Sequence, residues 1–357
     1  MRARLDRVLA RRGGALELLR LPAALFAGLA RLRAAGYARG VLPSARVPVP
    51  VVSVGNLTAG GTGKTPFVAF LARRLAADGL RVGILSRGYG AGGARENDEG
   101  RMLAAALPDS ERVQDPDRVR GAEELLLRGV DVILLDDGFQ HRRLARDLDL
   151  VLVDATRPWG LPPPVPGAAS VRACLPRGLL REPPSALARA DLLVLTRADQ
   201  VAPTALAELR RELEALAPGR PQAVGRHRAT RLLAPDGREL PLATLAGRTL
   251  DLLSALGNPE AFQRSLEALG ARVATHRAFP DHHHYVAQDL AGLGGDGRWL
   301  VTSEKDAVKL PPGTRAHVLA TEFELLEGEA VLAALLGALP PGAPRRERLA
   351  LHEGLHG

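Results

Sequence analysis

Thr58-Ala59-Gly60-Gly61-Thr62-Gly63-Lys64-Thr65 follows the apolar run 49–54 and opens a stretch of helix formers over 64–78. A strand, a glycine-rich turn and a helix, in that order, form the setting a phosphate-binding Walker A loop requires. The glycines let successive backbone N–H groups turn toward phosphate oxygens. Lys64 is placed for the β- and γ-phosphates, and the Thr65 hydroxyl for Mg²⁺. The first position is Thr58 where the general pattern has glycine, but the tight half, 60–65, is intact.

Outward from this loop the chain alternates. Apolar runs at 82–85, 131–136, 148–154 and 191–196 read as buried strands, and 204–216 reads as a helix. Continuous apolar strands alternating with helices predict an α/β fold, a P-loop NTPase-like parallel sheet with helices on both faces. Residues 222–243 break the pattern and read as two short strands around the turn Pro235-Asp236-Gly237. Alternation then resumes with strands at 249–255, 271–276, 299–303 and 317–320, and with helices from 259 and near 329–336. The expected organisation is an amphipathic N-terminal region (1–40), a P-loop domain (41–221), a two-stranded hairpin linker (222–246), a second, smaller α/β domain (247–340) and a frayed Pro/Gly/Arg-rich tail (341–357).

Composition narrows the function classes. The 357 residues are 46% hydrophobic and 3% aromatic, enough for a core of Leu, Val and Ala. A single cysteine, Cys174, excludes an intrachain disulfide and suits a reducing compartment. The net charge is +8, and residues 1–40 hold nine arginines against Asp6 and Glu17, so nearly all the excess sits there. The uncharged stretch 21–30 is far shorter than the roughly 20 residues of a membrane span. A basic amphipathic helix of this kind lies on an anionic membrane surface or packs as an ordinary solvated helix. No RNA-binding signature accompanies the charge, so no nucleic-acid partner is expected, and no obligate protein partner is evident. Only three lysines occur, Lys64, Lys305 and Lys309, in a chain that otherwise uses arginine.

Three further clusters carry candidate chemistry. Asp136 and Asp137 end the run 131–136 where a Walker B acid holds Mg²⁺, and neighbours on a strand face opposite ways, so the two acids divide the work. Asp98, beyond a glycine-rich run, is either a surface turn or an acceptor for a substrate hydroxyl proton. Asp281-His282-His283-His284-Tyr285 reads as a metal site, a helix start or a catalytic histidine.

Together these pieces resemble the tetraacyldisaccharide 4′-kinases, the lipid A kinases of Gram-negative bacteria. The matching stretches run in the family's order: 54–66, 85–90, 97–99, 135–141 (Leu135-Asp136-Asp137-Gly138-Phe139-Gln140-His141), 180–183, 257–262, 279–283 (Phe279-Pro280-Asp281-His282-His283) and 302–306. The resemblance implies Mg-ATP-dependent phosphorylation of the 4′-hydroxyl of a tetraacylated glucosamine disaccharide 1-phosphate. It implies two α/β domains around a cleft, and a peripheral enzyme whose N-terminal helix lies on the cytoplasmic face of the inner membrane. By motif position it makes Asp98 the general base and His282 its partner. Asp136 and Asp137 become acids of the Mg²⁺ and catalytic centre, Glu182 a further magnesium-associated acid, and Arg181 a cation near the transferring phosphate. One departure stands out: the family commonly has Gly-Asp-Glu-Pro around the base, and this chain has Asn97-Asp98-Glu99-Gly100. Two rivals, a membrane-bound P-loop switch ATPase and a soluble small-molecule kinase, would not need the Asp98/His282 pair or the basic N-terminus respectively.

Overall fold

A computed structural model of the chain describes residues 6, 8–88, 98–163 and 168–342, with the backbone alone at Asp98 and Glu99. The expected tail lies outside these residues from 343 onward. After a 3₁₀ turn at Gly14–Leu19 come helix α1 (Arg20–Ala38), strand β1 (Val51–Asn56), α2 (Lys64–Ala77), β2 (Val82–Ser86), α3 (Asp98–Ala106), β3 (Glu111–Gln114), α4 (Arg118–Leu127), β4 (Val132–Asp136) and β5 (Leu148–Asp154). There follow β6 (Leu192–Thr196), α5 (Pro203–Leu216), β7 (Gln222–Leu233), β8 (Glu239–Leu240), β9 (Thr249–Ser254) and α6 (Pro259–Ala268). The chain continues through β10 (Arg272–Ala278), β11 (Trp299–Ser303), the single turn α7 (Glu304–Ala307), β12 (His317–Glu327) and α8 (Glu329–Gly337).

The strands form one sheet in the order β10-β9-β11-β12-β7-β6-β5-β1-β4-β2-β3, with β8 paired to β7 alone. Within each half neighbours run parallel, and β1, β4, β5 and β6 are buried at every position, as apolar runs covered on both faces must be. The fold class read from the sequence, α/β with a largely parallel sheet, is the one observed.

The join between the halves differs from the expected hairpin. The turn at 235–237 forms, and β7 pairs with β8 only at Leu232 and Leu233. The long partner of β7 is β12, antiparallel over nine paired positions from Val318↔Leu233 to Glu327↔Val224. The ribbon thus borrows its second strand from far along the chain. β12 also outruns the expected 317–320 because Phe323 and Leu325 keep its inward face apolar.

Two clusters sandwich the P-loop half. On one side Phe67, Leu71 and Leu75 of α2 meet Leu332 and Leu336 of α8, so the final helix packs on the first half of the sheet. On the other side Leu57, Phe139 and Trp159 meet Leu209 and Leu213 of α5. The second half has its own core around Leu250, Leu252, Phe262, Leu266 and Val301.

The N-terminal helix is tied down from within. Arg177, with no exposed surface, donates to the carbonyls of Leu9 and Arg11 at 2.7 Å each and to Glu17 at 2.7 Å. Pro22 stands in the first turn of α1, where its missing N–H costs nothing. Ala23 and Ala27 face the protein, while Leu18, Leu21, Leu25, Leu29 and Leu32 are 59–77% exposed. At about 100° per residue those five leucines share one face, opposite the two alanines. No helix among the described residues is long and apolar enough to cross a membrane.

Candidate active site

β1 delivers the phosphate-binding loop, and α2 starts at Lys64. Gly60 (φ 150°) and Gly63 (φ 87°) take conformations that side chains resist. The loop's carbonyls are held from outside. Thr196 Oγ1 donates to Thr62 O at 2.9 Å, and Arg197 to Gly61 O at 3.2 Å. In a trans peptide the N–H points opposite to the preceding carbonyl. The N–H groups of Gly63 and Thr62 therefore point away from Thr196 and Arg197. The departure at the loop's first position has a local use. The buried Asn56 amide donates to Thr58 O (2.9 Å) and Oγ1 (3.1 Å) and accepts from Lys64 Nζ (3.1 Å).

The acid pair straddles the end of β4, and both acids line the same cleft rather than facing opposite sides, because the strand stops at Asp136. Asp136 is 3% exposed at the strand end. Asp137 leaves the strand in a left-handed conformation (φ 55°). Its carboxylate lies between Lys64 Nζ at 3.2 Å and Arg181 at 2.6 Å. Burial pushes the Asp137 carboxyl up, but the charges of Lys64 and Arg181 outweigh it and hold the group well below the usual carboxylate range. Glu182 faces Arg189 at 2.6 Å, and that guanidinium lies over the Phe139 ring at 4.4 Å.

The second half supplies the opposite wall. His282 stands in a left-handed conformation (φ 62°), beside Asp281, which pairs with Lys305 at 3.0 Å. The next histidine is structural: His283 pairs with Asp289 at 2.8 Å and stacks on Phe279 at 4.3 Å. His284 is exposed. Of the three histidines of this run, only His282 lines the cleft.

One cleft of ≈ 1010 Å³ gathers these groups: the loop 60–65, Asp136 and Asp137, Arg181 and Glu182, and Asp281 with His282. Thr58 pairs with Leu180, and Ala59 N donates to Leu179 O at 2.7 Å, which ties the loop to the segment carrying Arg181. Phe26, Leu29, Arg33 and Tyr37 of α1 line the far rim. Asp98 begins α3, whose Met102 also lines the cleft, but the Asp98 side chain lies outside the described residues. Among the described residues no group of three or more His, Cys, Asp or Glu is assembled to cage a metal. What lines the cleft instead is hard oxygen: Thr65, Asp136, Asp137 and Glu182. That donor set suits Mg²⁺, which keeps several waters and takes few protein ligands.

Several lining residues were not singled out from sequence. His227, on β7, has ring atoms so close to Gly63 that a Cβ there would lie 2.1 Å from them. Burial, then the nearby Arg197 charge, pushes His227 down to about 3. Arg118 and His141 also line the cleft, and burial, followed by Arg118 and Arg146, takes His141 down to about 4. Asn258 and Arg197 line it beside the loop. Of these, Asn258 and His141 had a signal, lying within the 257–262 and 135–141 stretches of the resemblance, and His227, Arg118 and Arg197 had none.

The pattern of the family described as Tetraacyldisaccharide-1-P 4′-kinase matches residues 15–339. The chain belongs to that family. It is 45% identical over 351 residues to the tetraacyldisaccharide 4′-kinase of Anaeromyxobacter dehalogenans, covering 90% of this chain and 89% of that one. The Geobacter sulfurreducens tetraacyldisaccharide 4′-kinase is 38% identical over 317 residues, covering 82% and 84%. Among solved structures, LpxK from Aquifex aeolicus in complex with ATP superposes with a TM-score of 0.68 at 31% identity, covering 90% of this chain and 98% of that one. The protein is thus an enzyme of the tetraacyldisaccharide 4′-kinase type, a transferase of lipid A biosynthesis.

Proposed function

We propose that the enzyme transfers the γ-phosphate of ATP to the 4′-hydroxyl of a tetraacylated glucosamine disaccharide 1-phosphate, giving the 4′-phosphorylated lipid A precursor, lipid IVA. One observation carries this reading. A single cleft runs from a P-loop with its cations, past a histidine on the opposite wall, to a helix whose outer face is bare leucine. A soluble acceptor has no use for the last feature.

Phosphoryl transfer asks for positioning and charge neutralisation more than covalent help. The N–H groups of the loop 58–65 receive the phosphates. Lys64 and Arg181, already converged on Asp137, are the cations for the transferring group. Asp98 takes the proton of the sugar hydroxyl, and His282 orients Asp98 and tunes its basicity. Thr65 and Asp136 hold Mg²⁺, with Asp137 and Glu182 as further oxygen donors. The ion, when bound, neutralises charge on the transferring phosphoryl group. The leucine face of α1, with Arg33 beside it, lies in the headgroup layer on the cytoplasmic face of the inner membrane, where anionic lipid attracts the basic N-terminal region.

The test is transfer of label from γ-labelled ATP to the tetraacyl disaccharide 1-phosphate in detergent micelles. Label is expected on the lipid, and Asp98→Ala is expected to abolish transfer while ATP binding survives. Hydrolysis of ATP with no label on the lipid would overturn the reading.

A further inference from the structure

The phosphate-binding loop is completed by the start of α6, in the second half of the chain. Gly257 lies against Gly61, so that a Cβ on Gly257 would come 1.8 Å from Gly61 N. The next residue does two jobs. Asn258 Oδ1 accepts from Ala261 N at 3.2 Å and caps α6. Its Nδ2 donates across the seam to Asp154 Oδ2 at 2.8 Å and to Thr156 Oγ1 at 2.9 Å. Asp154, 3% exposed at the end of β5, also binds Arg197, whose guanidinium donates to Gly61 O. A continuous chain of hydrogen bonds thus runs from Asn258 through Asp154 and Arg197 to the loop peptide that carries the Thr62 N–H. Flanking contacts hold α6 in the same place. Gln200 donates to Ala261 O and Ser265 Oγ at 3.2 Å each, and Glu260 pairs with Arg157.

We infer that Asn258 is a positioning residue for nucleotide binding, acting through Asp154 and Arg197 to fix the Gly61–Thr62 peptide against the phosphates. The inference rests on the ATP reading above. Without the Asn258 amide, the buried Asp154 keeps Arg197 and Thr156 but loses a donor to one carboxylate oxygen. A charged acceptor that loses a buried partner is costly, and Arg197 is drawn toward the carboxylate and away from Gly61 O. Burial opposes charge on Asp154, while Arg197, Thr156 and Asn258 favour it and keep the carboxyl below its ordinary range.

The two jobs of Asn258 can be separated. Serine caps helices as well as asparagine does, yet is too short to reach Asp154. Asn258→Ser therefore keeps the cap and removes the bridge, whereas Asn258→Ala removes both. Nucleotide affinity is read as the Kd of a fluorescent ATP analogue without lipid, alongside KM for ATP, KM for lipid and Tm. Asn258→Ser is expected to weaken the analogue and raise KM for ATP about tenfold, with KM for lipid unchanged and Tm lowered only by the lost bridge. Asn258→Ala is expected to match it in affinity and to fall further in Tm. If Asn258→Ser binds the analogue within twofold of wild type while Asn258→Ala loses Tm, the residue is only a helix cap and the inference fails alone. If the wild-type enzyme itself does not bind the analogue, the ATP reading fails and takes the inference with it.

Discussion

The two walls of the cleft are built differently. The P-loop wall comes from short contiguous stretches: eight residues of one turn, two acids at the end of β4, and the pair Arg181 and Glu182. The opposite wall presents one histidine, and it is held by residues scattered along the chain. Asp281 is held by Lys305, and His283 by Asp289 and Phe279. The first wall is local in sequence because strand, turn and helix follow one another directly and set the course of the loop between them. The second is a loop, and a loop has a shape only when something outside it imposes one. The first wall therefore has its groups set mainly by neighbours in sequence, with outside ties at Thr196, Arg197 and Asn258, and the second depends on distant residues throughout.

Substitutions on each wall would break or sharpen that contrast. The largest effect is expected at Lys64, which meets both Asn56 and Asp137. Lys64→Ala should cut transfer to the lipid about 10³-fold, measured as initial rate in micelles, because a preorganised charge at the transferring group is lost. A loss under tenfold would mean that Arg181 carries the neutralisation alone. Next comes the histidine pair. His282→Ala should lower kcat about 10²-fold with KM for ATP unchanged. His283→Ala should instead lower Tm by several degrees with a much smaller loss of kcat. Equal losses of kcat would show that the loop's order, and not His282 itself, is what the reaction needs.

A third test concerns His227, which stands between the walls on β7. Its pKa of about 3 lies below the ordinary 6.5 of an unfolded histidine. Between these values the unfolded chain takes up a proton that the folded chain refuses, so stability rises with pH across the window. The contribution is complete above about 6.5 and is lost progressively as pH falls toward 3. Wild-type Tm should fall from pH 6.5 to 4, and His227→Gln should flatten the profile; an unchanged slope would move the effect to another group, such as His141. The smallest effect is expected at the rim. Leu21→Gln with Leu25→Gln should weaken sedimentation with anionic vesicles and leave kcat in detergent within twofold. Equal sedimentation would remove α1 from the membrane contact.

The same contrast governs what the sequence disclosed. Most of the parallel strands were legible because they are apolar runs ended by a polar residue, and the loop 58–65 because its glycines, lysine and threonine are adjacent; the edge strand β3, Glu111-Arg112-Val113-Gln114, was not, since only one of its four residues is apolar. The β7/β12 ribbon was not, since pairing between residues some ninety positions apart leaves no local trace, and the turn at Pro235-Asp236-Gly237 offered a nearer partner. His282 was legible by motif position, whereas its separation from His283 and His284 depended on Asp289, Phe279 and Lys305. His227 had no signal: a lone histidine in a mixed strand reads as filler until Gly63 is seen against it.

The buried Arg177 carries a practical consequence. A helix with an exposed leucine face is a natural target for trimming to make a protein easier to handle in water. Here the first seventeen residues supply the carbonyls and the carboxylate that neutralise an arginine with no exposed surface. A trimmed chain would strip that guanidinium of the two carbonyls and the carboxylate that hold it and would uncover the surface they pack on. A form of this enzyme with a more polar surface is better made by replacing the outward leucines of α1 than by cutting the helix away.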